Sequence, residues 1–412
     1  MLGAAGRVNL NPDRAVQMGC GPSDRNLNVS VDDTECNAVL LRDGEVAAAI
    51  IGVDALYAGA TLERYLNARF QGILEPSGIF LAASHSHTSP QLDDSKPSLG
   101  EADGRHVGAV CEKIGDLLDG LLAETPNEVE IYAQRFKATT MISRRRRRII
   151  GTSEKRLALR QITMLPNEEA TTQQFGHSLS VMSNHSLIAR IWQLPCHPSS
   201  APWLGGFSAD YPGVVRKYLR RTHHTQLPVV FLQGFSGDLR APAFKSVSSP
   251  QTLISRVLAG KKFDRFAEAE YADWCRLVVT ELLDADLSAS VVVGTGDRLK
   301  VARVTRPASD YFPGLVGDRQ MVTQIVRIGG VALLGVSAEP VSEYSACSLL
   351  DSSDLIVPVG CLGDVIGYAP SKRVLEEGGY EASGFARWFG VPTPSANFES
   401  QFTDQMEEVL SA

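Results

Sequence analysis

The stretch from Val46 to His87 reads VAAAIIGVDALYAGATLERYLNARFQGILEPSGIFLAASHSH and decides the fold class. Its first and last parts, VAAAIIGVDAL and SGIFLAASHSH, are apolar runs bounded by turn residues, as buried strands are. Between them, YAGATLERYLNARFQGIL has apolar residues at helical spacing. The stretch therefore predicts a strand, a helix and a second strand, and the second strand ends in two histidines.

The same pattern recurs further along the chain. Residues 186–238 contain SLIARIWQLPCHP, SADYPGVVRKYLRRT and LPVVFLQGFSGD, which predict a second strand–helix–strand unit. Residues 322–340, VTQIVRIGGVALLGVSAEP, predict a hairpin that turns at its two glycines and ends in an acid. Further helical patterns lie at 104–124, at 262–284 and from about 397, and loop-like composition lies at 90–103 and 241–256.

Polar residues follow the predicted strands at the points where each strand ends. Open α/β sheets place their sites there, because strand ends hold side chains over a crevice on a rigid base. We therefore expect an α/β fold of mixed β-sheets flanked by helices, a layered sandwich with a metal site at strand ends. No break in composition divides the chain, which predicts a single catalytic domain over residues 1–412.

Composition excludes several classes of protein. The chain has 412 residues, of which 44% are hydrophobic and 21% charged, as in an ordinary globular protein. The net charge of −7 argues against nucleic acid as a partner, and no apolar run reaches transmembrane length. The beginning of the chain has no apolar signal-peptide segment, so a cytoplasmic location is expected. None of the seven cysteines forms a CxxC pair, which argues against a zinc ribbon or a redox dithiol.

His85 and His87 stand two residues apart in the segment SHSHTSP. Side chains at i and i+2 of an extended segment point to the same side, so two imidazoles at a strand end can share one site. Either one metal ion binds both, or one imidazole binds metal while the other contacts substrate. Two polar histidines in a surface turn are the alternative.

Two later segments contain further candidate ligands. His197 follows an apolar run in PCHPSS, and Glu339 ends the third strand pattern in GVSAEP. Catalytic zinc usually has three protein ligands and an open position for water, which His85, His197 and a later carboxylate would suit. The alternatives are a structural histidine beside proline and a helix N-terminal acid, with Glu343 as a competing carboxylate. Cys196 could act as a nucleophile, but strand alternation points it away from His197.

Two other segments indicate a functional role less specifically than the histidine segments do. Asp238 lies in SGD after an apolar strand, where a glycine allows close backbone approach to a ligand, although Gly-Asp is also a common turn. Residues 144–148 are five consecutive arginines, a pattern typical of nucleic-acid binding. The acidic net charge argues against that interpretation. Strand alternation would divide these arginines between solvent and a site, where one or two could hold an anionic or polar substrate group; a solvated surface is the alternative.

Taken together, these segments resemble the neutral/alkaline, non-lysosomal ceramidase family, in particular its amino-terminal catalytic domain. The matching segments are VDAL with Asp54, SHSHTSP, the arginines at 144–148, CHPSS, SADYPG, LQGFSGD, the strand ending in Glu339, and GYAPSKRVLEEGGYE at 367–381. They occur in the family's order and extend from about residue 8 to 411. The resemblance predicts a short form that lacks the family's carboxy-terminal β-sandwich domain.

The resemblance implies a zinc amidohydrolase that cleaves the N-acyl amide of ceramide to sphingosine and a fatty acid. The partner implied is thus a small-molecule or lipid-like amide. The family's zinc ligands correspond to His85, His197 and Glu339, and its site tyrosine corresponds to Tyr368. The second histidine of the HxH motif, His87, would contact the substrate or the developing oxyanion.

The sequence also departs from the family pattern. Ceramidases continue the Gly-Asp segment as Gly-Asp-Val-Ser-Pro, whereas this chain has Gly237-Asp238-Leu239-Arg240-Ala241-Pro242. Asp238 and Arg240 are therefore candidate site residues, and arginine suits an anionic substrate better than a neutral lipid amide. Tyr380 competes with Tyr368 for the tyrosine position. A zinc esterase or lactonase, a non-catalytic ligand-binding protein on the same fold, and a cysteine hydrolase using Cys196 remain alternatives.

Overall fold

The computed structural model describes residues 1–20, 25–150, 159–170, 174–247, 260–285, 291–293, 298–347 and 354–412, with positions 249, 250, 253, 256 and 350. These residues form several β-sheets with flanking helices, so the predicted mixed α/β class is confirmed. Part of the loop predicted at 241–256 lies outside the described residues. No helix in the described ranges is both long enough and apolar enough to cross a membrane.

The strands are short and numerous, and they alternate with helices along the chain. In chain order the strands are β1 (Leu2–Asn9), β2 (Val16–Gln17), β3 (Asn26–Leu27), β4 (Glu35–Asp43), β5 (Val46–Val53), β6 (Ile79–Ala83), β7 (Asn127–Glu128), β8 (Glu130–Ala138), β9 (Ile142–Ile150), β10 (Leu159–Asn167), β11 (Gln174–Ser183), β12 (Ser186–Leu194), β13 (Val229–Gln233), β14 (Leu239–Arg240), β15 (Val291–Val293), β16 (Leu299–Pro307), β17 (Gln320–Ile328), β18 (Val331–Val336), β19 (Glu339–Pro340), β20 (Leu355–Val359) and β21 (Tyr368–Ala369). The α-helices are α1 (Gly59–Arg69), α2 (Gly104–Ala123), α3 (Asp210–Thr222), α4 (Glu268–Ala285), α5 (Ala308–Tyr311), α6 (Lys372–Glu377), α7 (Ala386–Phe389) and α8 (Phe398–Leu410). Single 3₁₀ turns lie at Pro76–Gly78, Pro97–Leu99 and Ser342–Ala346, and a π turn lies at Tyr380–Gly384.

Three large sheets meet at a common core. Their strand orders are β6-β5-β4-β1-β7, β13-β12-β11-β8-β15 and β16-β17-β18-β20. Valine, isoleucine and leucine side chains from all three sheets form one buried cluster between them. Helices cover the other face of each sheet: α1 and α2 on the first, α3 and α4 on the second, and α5, α7 and α8 on the third. This arrangement is the layered sandwich that the sequence predicts.

Each large sheet contains one parallel strand pair, and these pairs determine where the site lies. The pairs are β5 with β6, β12 with β13, and β18 with β20. The first two are the predicted strand–helix–strand units. Backbone hydrogen bonds join the strand ends of different sheets: Ala83 N–H donates to Cys361 O at 3.0 Å, and Gly360 N–H to Gln233 O at 2.9 Å. The carboxyl ends of all three parallel pairs therefore converge.

Two element boundaries differ from the prediction. The hairpin of β17 and β18 is confirmed, but β18 ends at Val336, and Glu339 lies in the separate strand β19, which pairs in parallel with β21. The helix predicted from residue 262 begins at Glu268 instead. Phe263 is held outside the helix because it forms an antiparallel bridge with Phe244.

The arginine run forms part of strand β9, but its side chains do not simply alternate. Arg144 and Arg145 are both buried, and both contact the carboxylate of Glu381. The pairing of β9 with β10 shifts register between Met164 and Asn167, opposite these arginines. Such an irregularity changes the direction of neighbouring side chains, which explains why Arg144 and Arg145 are on the same side, while the side chain of Arg147 is exposed to solvent.

A buried ion cluster ties α3 to the first sheet. The guanidinium of Arg220 donates to both carboxylate oxygens of Glu35, at 2.7 and 2.8 Å. Arg216 contacts Glu35 at 3.5 Å and Asp54 at 2.7 Å. Burial alone would raise the pKa of Glu35, but Arg220 and Arg216 outweigh burial and lower it to about 2. The carboxylate is therefore stabilised in its charged form.

This cluster predicts an acid-dependent loss of stability. The folded pKa of Glu35 lies below its ordinary value of 4.5, so its contribution is complete above about pH 4.5 and is lost as the pH falls towards 2. The difference corresponds to about 3 kcal/mol. The free energy of unfolding in urea, measured from neutral pH down to about pH 2, tests this. Glu35→Gln should be less stable than the parent at neutral pH, and the free energies of the two proteins should converge at low pH. A constant difference between them at every pH would contradict this assignment.

Candidate metal centre

His85 comes from the end of the first parallel pair. It lies two residues beyond β6, with its backbone in the left-handed region at φ 62°. Its Nδ1 lies 3.1 Å from the carbonyl oxygen of Leu56, which follows β5. A ring nitrogen that faces a carbonyl carries the proton, so the other nitrogen, Nε2, presents a lone pair. This is the tautomer that a metal ligand requires.

His197 comes from the end of the second parallel pair and has the same tautomer. Its Nδ1 lies 2.9 Å from the carbonyl oxygen of Ser236 and 3.0 Å from that of Leu239, both beyond β13. The Nε2 atom therefore also presents a lone pair. Two carbonyl acceptors fix the ring orientation more firmly than one would.

His87 completes a group of three imidazoles. Its backbone N–H donates to the carbonyl oxygen of Pro198 at 3.0 Å, which joins the two histidine segments. The ring centroids lie 4.7 Å apart for His85 and His197, 4.9 Å for His85 and His87, and 5.8 Å for His87 and His197. One potential ligand atom from each residue lies within 4.8 Å of the other two. The three histidines can therefore hold a metal ion.

Glu339 comes from strand β19, which follows the third sheet along the chain, and faces the same point. Its Oε2 lies 3.2 Å from His85 Nε2 and 3.3 Å from His197 Nε2, whereas its Oε1 accepts a hydrogen bond from the hydroxyl of Tyr57. The atoms His85 Nε2, His87 Nε2 and Glu339 Oε2 are buried and have no hydrogen-bond partner among the described residues. Buried polar atoms are normally paired, so these three indicate a missing ligand.

The distances from Glu339 Oε2 to the Nε2 atoms of His85 and His197 fit zinc. In a tetrahedral site with bonds of 2.0–2.1 Å, two ligand atoms are about 3.3 Å apart. The contacts of Glu339 with His85 and His197 have this separation and are not hydrogen bonds. The donor set of imidazole nitrogens and a carboxylate oxygen is also one that zinc prefers.

Electrostatics favour a positive charge at the same point. Burial opposes the charged form of His85, but the negative charge of Glu339 outweighs burial and raises the pKa of His85 well above its ordinary value. Burial opposes the charged form of Glu339 as well, and His85 outweighs it, so the pKa of Glu339 is lowered. Burial and Arg144 lower the pKa of His197 to about 4, and burial and His85 lower that of His87. A bound cation would match this arrangement, because it would replace the proton on His85 beside one carboxylate and two neutral imidazoles.

The structure places Tyr368 rather than Tyr380 against the cluster. The hydroxyl of Tyr368 lies 3.5 Å from His197 Nε2 and accepts a hydrogen bond from Arg144 Nη2 at 2.9 Å. The ring of Tyr380 packs against that of Tyr368, with centroids 5.4 Å apart. Burial raises the pKa of Tyr368 well above its ordinary value, so its hydroxyl keeps its proton.

Asp238 is close in sequence to these residues but is directed elsewhere. Its carboxylate accepts the N–H of Ser342 at 2.7 Å and the hydroxyl of Ser342 at 3.1 Å. A Cβ atom at Gly237 would lie 2.9 Å from the carbonyl oxygens of Glu339 and Pro340. The close approach expected of the Gly-Asp segment is therefore made to strand β19, and Asp238 fixes the segment that follows Glu339.

The remaining candidates from the sequence lie around this centre. Arg240 forms a parallel bridge with His197 and contacts the segment that follows it. Glu343 faces away and accepts hydrogen bonds from Ser371 and Arg373. Cys196 is buried in the core between the second sheet and its helices, as strand alternation predicts.

Sequence reasoning missed the residues that support the ligands. Tyr57 follows β5 and contacts Glu339, so the rule that located the histidines at strand ends would also have found it. Lys96 is buried, pairs with Asp93, and lies 5.2 Å from the centre of the Tyr57 ring. Glu381 neutralises Arg144, and no local pattern in the sequence indicates that contact.

The fold and this centre define a class: an α/β protein in which the ends of three parallel strand pairs form a buried cluster able to bind a metal ion.

Neither protein-family models nor curated protein sequences give a match to this chain. Solved protein structures, in contrast, give clear matches. The crystal structure of neutral ceramidase from Pseudomonas aeruginosa is similar with a TM-score of 0.72 at 14% identity, and the alignment covers 100% of this chain and 74% of that one. A structure described as ceramidase complexed with C2 is similar with a TM-score of 0.71 at 13% identity, covering 100% of this chain and 75% of that chain. The chain thus has the neutral ceramidase fold, and the resemblance seen in the sequence is confirmed at that level.

Proposed function

We propose that this chain is a zinc-dependent hydrolase that cleaves an N-acyl amide bond in a lipid-like substrate. The observation that carries the proposal is the convergence of unpaired, buried ligand atoms from His85, His87 and Glu339 with the imidazole of His197. The neutral ceramidase fold supports an amide as the bond that is cleaved.

His85, His197 and Glu339 would hold the zinc ion, with Tyr368 beside them as a further ligand or as a hydrogen-bond donor. Bound zinc supplies a Lewis acid and a water molecule whose pKa is lowered to about 7. The chain contributes orientation, because the carbonyls of Leu56, Ser236 and Leu239 fix the two imidazole rings.

The surrounding side chains have separate tasks in this scheme. The hydroxyl of Tyr57 holds one oxygen of Glu339 and leaves the other oxygen for the metal. Tyr368 accepts from Arg144 and so directs its own proton towards the cluster, where it can donate to the oxyanion that develops on the amide carbonyl. His87 Nε2 is unpaired, and the lowered pKa of His87 keeps its imidazole neutral, so it can accept a proton from the attacking water and pass that proton to the leaving nitrogen.

The metal content of the purified protein tests the proposal first, measured by inductively coupled plasma mass spectrometry. The expected result is about one zinc per chain. Removal of the metal by a chelator should abolish hydrolysis of N-acyl amides, and addition of zinc should restore it. A protein that binds no metal after zinc is supplied would be a ligand-binding protein on this fold, and hydrolysis of esters alone would identify an esterase or lactonase.

Tyr57→Phe should weaken the metal site without removing a ligand. Loss of the hydroxyl frees Glu339 to rotate, and partners of metal ligands typically contribute 10–100-fold to metal affinity or activity. We expect a decrease of about that size in zinc affinity, measured by competition with a chromogenic chelator. Tyr311→Phe is the matched control, because its hydroxyl contacts Gln405 and none of the candidate metal ligands. Equal zinc affinity in both variants would refute the role of Tyr57.

Cys196→Ala should retain full activity. The Cys196 side chain lies in a hydrophobic core, and burial raises the pKa of its thiol well above the ordinary value, so no thiolate is available as a nucleophile. Turnover of an N-acyl amide by the zinc-loaded variant is the measurement. A loss of activity without a loss of bound zinc would restore the cysteine hydrolase alternative.

A further inference from the structure

Arg240 lies directly beside the candidate ligand His197 in the backbone. The two residues form a parallel β-bridge, and the N–H of His197 donates to Leu239 O at 3.3 Å. Bridged strands lie about 4.8 Å apart, so the Arg240 side chain begins beside the metal centre. An arginine side chain is long enough to reach a substrate group that is bound next to that centre.

The guanidinium of Arg240 is held in a fixed orientation. Its Cζ atom lies 4.6 Å from the centre of the Phe263 ring, a cation–π contact. Its Nη2 lies 3.2 Å from Ser200 Oγ and 3.4 Å from each of the carbonyl oxygens of Ser199 and Asp264. These contacts are long and neutral, and they orient the group without neutralising it.

Arg240 has no acidic partner in the described parts of the chain. Its Nε is buried and has no hydrogen-bond partner there. The nearby carboxylate of Asp210 is already used by the hydroxyl of Tyr271 at 2.8 Å and the N–H of Tyr211 at 2.6 Å. The carboxylate of Asp264 accepts the N–H of the residue that follows it.

The contrast with Arg144 shows that the charge of Arg240 is uncompensated. Arg144 is buried and forms an ion pair with Glu381 at 2.8 Å, whereas Arg240 is partly buried and forms no such pair in the described parts of the chain. Burial and the charge of Arg144 lower the pKa of Arg240 to about 10, so Arg240 still carries its charge at neutral pH. A buried charge without a partner is unfavourable, and an anionic ligand removes that penalty.

We propose that Arg240 binds a carboxylate of the substrate close to the scissile bond, so that the preferred substrates are N-acyl amino acids rather than neutral N-acyl amides. The planar fork of the guanidinium matches a carboxylate. This inference rests on the proposed hydrolase function and specifies its substrate class. Arg240 is then the residue that determines specificity.

A matched substrate pair tests the proposal. N-lauroylglycine and N-lauroylethanolamine share the acyl chain and a two-carbon amine, but only the first carries a carboxylate. We expect the zinc-loaded protein to have a higher kcat/KM for N-lauroylglycine. Arg240→Gln should lower that value by at least about 30-fold and change the value for N-lauroylethanolamine by less than about 3-fold. Arg147→Gln, an exposed arginine 62% accessible in its side chain, is the control and should change neither value.

A binding measurement separates failure of this inference from failure of the proposed function. Calorimetric titration of N-lauroylglycine into the metal-free protein requires no turnover. Weaker binding to Arg240→Gln, with intermediate binding to Arg240→Lys, supports the proposal even if neither substrate is hydrolysed. Circular dichroism of each variant checks that it is folded. Two results would overturn the proposal that Arg240 binds the carboxylate. One is that the parent binds both compounds with equal affinity, and the other is that the parent and Arg240→Gln bind N-lauroylglycine with equal affinity.

Discussion

His85→Ala and His197→Ala are each expected to lose zinc binding and, with it, hydrolysis of the N-acyl amide. Each substitution removes an imidazole whose Nε2 lies 3.2 or 3.3 Å from Glu339 Oε2. A residue that only supports a ligand typically contributes 10–100-fold to affinity, so loss of a ligand itself should weaken zinc binding by more than about 100-fold. Activity should fall at least in parallel, because bound zinc supplies the nucleophilic water.

The control for both variants is a buried histidine outside the cluster. His177 lies in β11, and its Nδ1 is 2.8 Å from Gln193 Oε1. His177→Ala should retain about one zinc per chain, although it creates a cavity and lowers stability. Zinc content by mass spectrometry and zinc affinity by chelator competition are the measurements. Full zinc occupancy in both His85→Ala and His197→Ala would show that the assigned site is wrong.

Local periodicity explains why much of the fold could be predicted. The strand–helix–strand units at residues 46–87 and 186–238 depend on apolar spacing within one segment, and both units form as predicted. The position of His85 and His197 at strand ends follows from the same pattern. Helix α4 shows the limit of this reasoning. Its predicted first turn is replaced by a bridge between Phe263 and Phe244, a contact that helical spacing does not encode.

The assembly of the centre depends on contacts between distant segments. No local pattern specifies that β6, β12 and β18 direct their ends to one point, because that follows from the packing of three sheets. Tyr57 shows the consequence: its contact with Glu339 joins the segment after β5 of the first sheet to strand β19. The resemblance to ceramidases anticipated the ligands by their order in the chain, whereas the supporting side chains required the structure.

Arg144 and Arg145 show how one long-range contact overrides a local rule. Strand alternation would place neighbouring side chains on opposite faces. Both arginines instead contact Glu381, at 2.8 and 2.7 Å, and a register shift in β10 lies opposite them. Arg144 in turn donates to Tyr368, so Glu381 connects the arginine run to the metal centre.

Glu381→Gln is therefore expected to have the largest effect on stability. The carboxylate is only 1% exposed in its side chain and neutralises two buried guanidinium groups. Glutamine has nearly the same shape but leaves Arg144 without its counter-ion and leaves Arg145 with only the longer contact to Glu377 at 3.3 Å. Breaking a buried ion pair in this way typically destabilises a protein by about 3–5 kcal/mol. The free energy of unfolding in urea at neutral pH is the measurement.

Glu408→Gln provides the comparison for this effect. Glu408 also forms an ion pair with an arginine, Arg306, at 2.9 Å, but its side chain is 55% exposed. Exposed pairs contribute about 0–1 kcal/mol, so this variant should be nearly as stable as the parent. A similar, small loss in both variants would mean that water reaches Arg144 and Arg145. A large loss for Glu381→Gln alone, accompanied by weaker zinc binding, is expected because Arg144 would no longer hold Tyr368 against His197.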